Sequence, residues 1–223
     1  MTNEQKQEAL LRLAKKRQVD RRKPHSCLAD IHEGYYECNF VSPWTISARD
    51  VNADLMILGK DWASTETLRD CPPDQERRRI GQGWNTPTNK NLRAYLNDYM
   101  DGLTFSETYS TNVFPFIKIG KKNGRIPRAD MLYAARTYAL PQIKIVSPLI
   151  AVCLGAPAFL AVSRAALAEG GQKASEPLPH IIFCGIEIHD APHPSMYPGG
   201  KRAVQARWSL LGECLERLRR RRK

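Results

Sequence analysis

The apolar positions begin in a helical rhythm. Over residues 3 to 19, Ala9, Leu10, Leu13 and Ala14 share one face, and Thr2 or Asn3 suits the N-cap. Residues 24 to 50 are polar and aromatic with no period. ADLMILG (53 to 59) is then a short apolar run ending in glycine, the pattern of a buried parallel strand that delivers its C-terminal end to a loop. A loop rich in Pro, Gly, Arg and Trp runs to about Pro87. Thr88 or Asn89 can cap a helix through Met100, and ETYSTNVF (107 to 114) reads as a second strand. Beyond a basic loop, a helix is predicted over 128 to 145, a strand in PLIAVCLG (148 to 155), a helix over 158 to 169 and a fourth strand in HIIFC (180 to 184). The last helix starts near Lys201 and places Val204, Trp208, Leu211, Leu215 and Leu218 on one stripe.

Strands alternating with helices predict an α/β fold: a three-layer α/β/α sandwich around a central four-stranded parallel sheet. One domain over residues 1 to 223 is expected, with an N-terminal helical extension (about 1 to 50) and a basic C-terminal helix (about 201 to 223). In such sheets the ligand lies beyond the carboxyl ends of the strands. That rule selects GKDWAS after the first strand, TNVFPF at the end of the second, LGAPA after the third and HDAPHPS after the fourth.

Composition narrows the class. With 42% hydrophobic and 26% charged residues the chain is an ordinary globular one. It has no apolar run long enough to span a membrane and no secretory pattern at its start, so a cytoplasmic protein is expected. The six cysteines are scattered and lack a C-x-x-C pair, and Cys153 and Cys184 lie in apolar runs, so free thiols are expected. The spacing of Cys27, Cys38, His25 and His32 fits no standard zinc pattern, and no metal is assigned. The net charge of +11 changes the picture more. Two basic runs lie near the termini, but Arg77 to Arg79 and KIGKKNGR (118 to 125) flank the strand ends, which points to a polyanionic partner.

At the strand ends, Asp61 is a carboxylate lifted into a crevice by the Gly59 turn, suited to orienting a water or offsetting developing positive charge. Asn112 offers an amide donor and acceptor for the edge of a base. His193, stiffened between Pro192 and Pro194, can donate to an oxygen of a leaving group, and Ser195 can hold a phosphate. Alone, each of these could be a cap, a turn or a buried polar residue. Together, a strand ending in G-x-D, a strand ending in Thr-Asn, a strand reading P-x-I-A-V-x-L-G-A-x-A and a final H-P-S resemble the uracil-DNA glycosylase superfamily, from about Asp54 to Trp208. The framework is similar to the iron-sulfur branch. Phe116 and Ala135 stand where that branch has cluster cysteines, so no iron-sulfur cluster and no other cofactor is expected. Lys60 replaces that branch's Glu, and Asp61 falls where the uracil-specific branch has its water-orienting aspartate. Pro127 ends GRIP where a covalently trapping variant has histidine, which argues against such trapping.

The resemblance implies a monofunctional uracil-DNA glycosylase that flips the base out of DNA and hydrolyses its N-glycosidic bond. Asp61 would orient the water, His193 would hydrogen-bond the departing base, and Asn112 would read its edge. Gly59, Lys60, Trp62, Trp84 and Ser195 complete the expected substrate site; Trp84 is the first choice as aromatic platform, with Trp62 and Phe114 as alternatives. Pro194, Met196, Tyr197, Lys118 and Arg125 are expected to contact DNA. The implied partner is uracil-containing DNA, with no membrane, and a monomer is expected. Competing readings are the same fold acting on another mismatched or damaged base, and a non-catalytic DNA-binding protein.

Overall fold

The computed structural model describes residues 1–176, 178–196 and 199–222. Among the described residues, eight α-helices, α1 (Asn3–Val19), α2 (Thr65–Arg69), α3 (Gln75–Ile80), α4 (Pro87–Tyr99), α5 (Arg128–Ala134), α6 (Leu140–Val146), α7 (Ala156–Ala168) and α8 (Lys201–Arg222), accompany one sheet. Its strands are β1 (Leu55–Asp61), β2 (Tyr109–Phe114), β3 (Ile150–Leu154), β4 (Gln172–Ala174), β5 (His180–Phe183) and β6 (Ile186–Ala191), in the order β2-β1-β3-β6-β5-β4. The fold is therefore α/β, but the sheet is mixed and six-stranded, not the four-stranded parallel sheet that the apolar runs predict. β2, β1, β3 and β6 run parallel, whereas β5 and β4 add an antiparallel edge.

The difference has a local cause. HIIFC does form a strand, but Cys184 and Gly185 both take positive φ (53° and 78°) and turn the chain straight back. Two consecutive left-handed residues make the tight hairpin turn that matches strand twist. Cys184 is accordingly exposed in a turn and not buried in a strand. The fourth parallel strand is IEIHDA, whose Glu, His and Asp interrupt the apolar run that would predict it, and it is this strand that leads into the His193 loop.

Strand side chains alternate between two cores. Met56, Leu58, Ala151, Cys153, Ile186 and Ile188 pack with residues of α1, α5, α6 and α7; Leu55, Ile57, Ile150, Val152 and Leu154 pack with α4 and α8. Val204, Trp208, Leu211 and Leu215 supply the buried stripe of α8. At the N-terminus Thr2 and Gln5 form a reciprocal capping box, and α1 buries Ala9, Leu10, Ala14 and the whole Arg17 side chain. The cap of α4 is Thr86, not Thr88 or Asn89, because Pro87 is preorganised for the first helical position. The helix predicted over 128 to 145 is α5 and α6 joined through a π-turn, Ala135–Ala139, just before Pro141. Phe116 and Ala135 are fully buried in the core, Phe116 packing edge-on against Phe114 (5.4 Å) and Tyr138 (6.0 Å).

Candidate active site at the carboxyl ends of the parallel strands

β1 and β2 pair in a register that places Gly59 opposite Asn112 and Asp61 opposite Phe114. The two strands thus bring the first two predicted residues side by side. Gly59 is required there: a Cβ would lie 2.6 Å from Asn112 Nδ2 and 3.0 Å from the Trp44 ring. Ser42 donates its hydroxyl to Asn112 Oδ1 at 2.6 Å, which fixes the amide. Nδ2 then lies over Gly59 with no hydrogen-bond partner among the described residues. An amide held in this way offers N–H donors to whatever enters the crevice.

Asp61 is almost enclosed by lysines. Lys118 Nζ lies 2.9 Å from its Oδ1 and Lys60 Nζ 3.1 Å from its Oδ2. The Lys118 side chain is only 2% exposed and that of Lys60 is 30% exposed. Burial lowers the pKa of the Lys118 ammonium, the Asp61 carboxylate opposes that fall, and the neighbouring Lys60 adds to it. Lys118 therefore belongs to the site itself; its surface placement as a DNA contact is corrected. It is held by its own backbone, whose carbonyl accepts from Thr65 N–H at the start of α2 (2.9 Å).

From the other side, Gly155 ends β3 with φ 86° and donates its N–H to Ala191 O at 2.7 Å, joining the ends of β3 and β6. His193 follows two residues later, and a Cβ on Gly155 would sit 3.7 Å from the His193 Cβ. Ser195 reaches back to His193 Nδ1 with both its hydroxyl (2.9 Å) and its backbone N–H (3.3 Å). A backbone N–H can only donate, so Nδ1 is the acceptor and the neutral ring carries its proton on Nε2. Burial lowers the His193 pKa; Lys60 adds to the fall, Asp61 opposes it, and Lys122 lowers it further. Neutral His193 with an Nε2–H donor is the resting form at pH 7. Asn91 of α4 donates to Pro194 O at 2.7 Å and anchors the loop from below.

The other predicted residues divide. Met196 (62% exposed) and Arg125 stand on the surface, whereas Pro194 is buried with its carbonyl engaged by Asn91. Tyr197 lies outside the described residues. Trp84 is exposed, but the Arg93 guanidinium covers one face of its ring at 3.8 Å. Trp62 is half-buried, donates its indole N–H to Gly81 O (2.7 Å) and packs on Tyr36. Phe114 faces the core, 4.9 Å from His25, so it is no platform. The aromatic ring that does meet Gly59 is Trp44, which sequence reasoning missed, together with Ser42 and Asn91. Only S-P-W, with its serine cap and proline start, hinted that this stretch is ordered. Ile119, 53% exposed within the basic loop, is a further apolar surface residue that was not singled out.

The ligand atoms of His25, Cys27, His32 and Cys38 do not gather into one cluster among the described residues. His25 faces Asp130, Cys27 donates to Asp20 O, His32 contacts Leu68 O and Cys38 lies beside Arg17. A different trio, His180, Glu187 and His189, has its ligand atoms within 4.8 Å of one another, but Arg217 already holds both Glu187 oxygens at 2.9 Å. No family model matches the chain, and no curated protein matches it either. No described helix is long and apolar enough to cross a membrane.

Proposed function

We propose that the protein is a DNA-repair glycosylase that takes uracil out of the DNA stack and hydrolyses its N-glycosidic bond, leaving an abasic site. The observation that carries this reading is the pairing of a carboxylate, Asp61, with a neutral histidine, His193, held as an Nε2–H donor by Ser195 across the same strand ends. Breaking an N-glycosidic bond leaves negative charge on the base and positive charge on the sugar. Asp61 offsets the sugar cation and orients water, and the His193 Nε2–H stabilises the departing anion.

Asn112 supports the choice of base. With Oδ1 accepting from Ser42, the amide presents N–H donors, which suit the carbonyl of uracil and not the amino group of cytosine. Arg125, Lys121 and Lys122 on one loop would supply salt-dependent attraction to the backbone, and the exposed Met196, three residues after His193, would fill the space the base leaves. Otherwise identical oligonucleotides carrying U:G, U:A, T:G or single-stranded U, treated with protein and then alkali, test the reading. Cleavage at uracil and not at thymine is expected. No abasic product from any uracil substrate at stoichiometric protein would overturn it.

A further inference from the structure

Beside the crevice lies a row of aromatic rings, each covered by an arginine. The Arg93 guanidinium lies 3.8 Å from the centre of the Trp84 ring, that of Arg78 4.5 Å from Tyr35 and that of Arg77 5.7 Å from Trp62. Among the described residues none of these three arginines has a carboxylate partner, so their charge is laid over rings and not cancelled. The row is continuous. Tyr36 packs edge-on against Tyr35 (5.1 Å) and Trp62 (5.4 Å), and Trp62 donates its indole N–H to Gly81 O, at the end of the helix that carries Arg77 and Arg78. The next residue, Gln82, is buried; it accepts from the Trp44 indole N–H (3.2 Å) and donates to Ser47 Oγ (2.7 Å). Two residues further, Trp84 has its carbonyl held by Arg93 (2.9 Å), and Asn91, two residues before Arg93, anchors the His193 loop. Since Trp62 follows Asp61 and Trp44 meets Gly59, the row is fixed to the walls of the crevice. It is not sealed by packing: Trp84 is 38% exposed with Arg93 on one face, and Arg78 is exposed. Planar groups that keep surface toward solvent are stacking platforms for planar ligands. In a duplex the base faces are already stacked on one another; in a single strand they are free.

We propose that this row binds an unpaired stretch of DNA beside the target base, with bases stacked on Trp84 and Arg78 and phosphates drawn by the arginines, so that single-stranded DNA is the preferred substrate. This deepens the glycosylase reading and rests on it only for the chemistry that follows binding. Stacking needs the face of a base and not its edge, so the row is indifferent to sequence. A target base that is already unpaired also avoids much of the cost of leaving a duplex before it reaches Asp61. Trp84 then serves a neighbour of the uracil and not the uracil itself.

Binding of uracil-free oligothymidylate, alone or annealed to oligoadenylate, tests this by fluorescence anisotropy at one fixed salt concentration. Wild type is expected to bind the single strand roughly tenfold more tightly than the duplex, about the effect of one stacked base. Trp84→Ala is expected to lose roughly tenfold for the single strand with duplex affinity unchanged, and Trp84→Phe to recover most of that loss. Arg78→Lys, which keeps the charge and loses the planar face, is expected to follow the same pattern more weakly. Quenching of tryptophan fluorescence by oligothymidylate is expected in wild type and is expected to shrink in Trp84→Phe. Equal affinity of wild type for both DNAs, or Trp84→Ala and Arg78→Lys weakening both equally, overturns the proposal. Uracil release from single-stranded and duplex substrates, followed in parallel, separates the two readings: excision without a single-strand preference in binding removes only the platform, and single-strand binding through Trp84 without excision removes only the glycosylase.

Discussion

Two clusters of charge lie at opposite ends of the sheet, each built around one carboxylate. Asp61 sits at the carboxyl end of β1 with two lysines and faces the crevice. Glu187 sits at the start of β6, opposite Ile150 at the start of β3, beneath α8. Arg217 binds both Glu187 oxygens at 2.9 Å and His189 Nε2 lies 3.0 Å from one of them. Burial raises the Glu187 pKa, but the hydrogen bonds from His189 and Arg217 outweigh it and the net shift is downward. The histidines differ in the same way. His189 is fully buried, stacked on His180 at 4.7 Å, and burial drives its pKa down to about 4. His193 is only partly buried and keeps a directed donor. Both Glu187 oxygens are held within their own cluster, although His189 Nδ1 and Arg217 Nε have no partner there; the Asp61 cluster combines an Asn112 amide nitrogen that has no described partner, a part-exposed Lys60 and a part-buried His193. That contrast distinguishes a structural ion pair from a candidate reactive site.

Substitutions at the two ends should therefore fail differently. At the open end, Asp61→Asn is expected to lower single-turnover uracil excision by roughly 10³-fold and to lower the melting temperature as well, because it leaves the buried Lys118 ammonium without its carboxylate, whereas His193→Ala is expected to lower excision by roughly 10²-fold with DNA affinity and melting temperature nearly unchanged. Excision at wild-type rate in both variants would erase the distinction.

At the closed end the effects should be on stability alone. The His189 pKa is about 4 in the folded protein and near 6.5 unfolded, so the unfolded chain binds the proton first. The stabilisation is fully present above pH 6.5 and is lost as pH falls toward 4, by about 3 kcal/mol in all. Denaturant titrations of wild type and His189→Gln over that range check the sign: the wild-type curve should fall with pH and the variant's should be flatter. Glu187→Gln, which weakens the bonds to Arg217 and His189, should cost about 2 kcal/mol by the same method and leave excision intact at a temperature where the variant is folded. Smallest of all, Ser195→Ala should reduce excision about tenfold or less, because it removes the hydroxyl but not the backbone N–H that selects the His193 tautomer.

The sequence disclosed what depends on local chemistry. The N-cap at Thr2, the start of α8 and its apolar stripe, and the carboxyl end of β2 follow from period and caps, whereas β1 runs on through Lys60 and Asp61 where a turn at Gly59 is predicted. Asp61, Asn112 and His193 were legible because strand ends carry the ligand in α/β sheets. The hairpin of β5 and β6 was not: Glu187 and His189 break the apolar run, and their burial depends on Arg217, which lies 30 residues from Glu187 in the chain. Ser42, Trp44 and Asn91 were hidden for the same reason, since their roles arise from contacts across the fold. Lys118 was misplaced because a lysine in a basic loop reads as surface until a carboxylate 57 residues away is brought to it.

We propose that Asp61 and His193 at the open end act together on an N-glycosidic bond. Free uracil released from a U:G duplex, measured by mass under single-turnover conditions for wild type and Asp61→Asn, tests it most directly. Stoichiometric uracil is expected from wild type, and a rate lower by orders of magnitude from the variant. Equal release from both proteins, or none from wild type bound to the duplex, would contradict it.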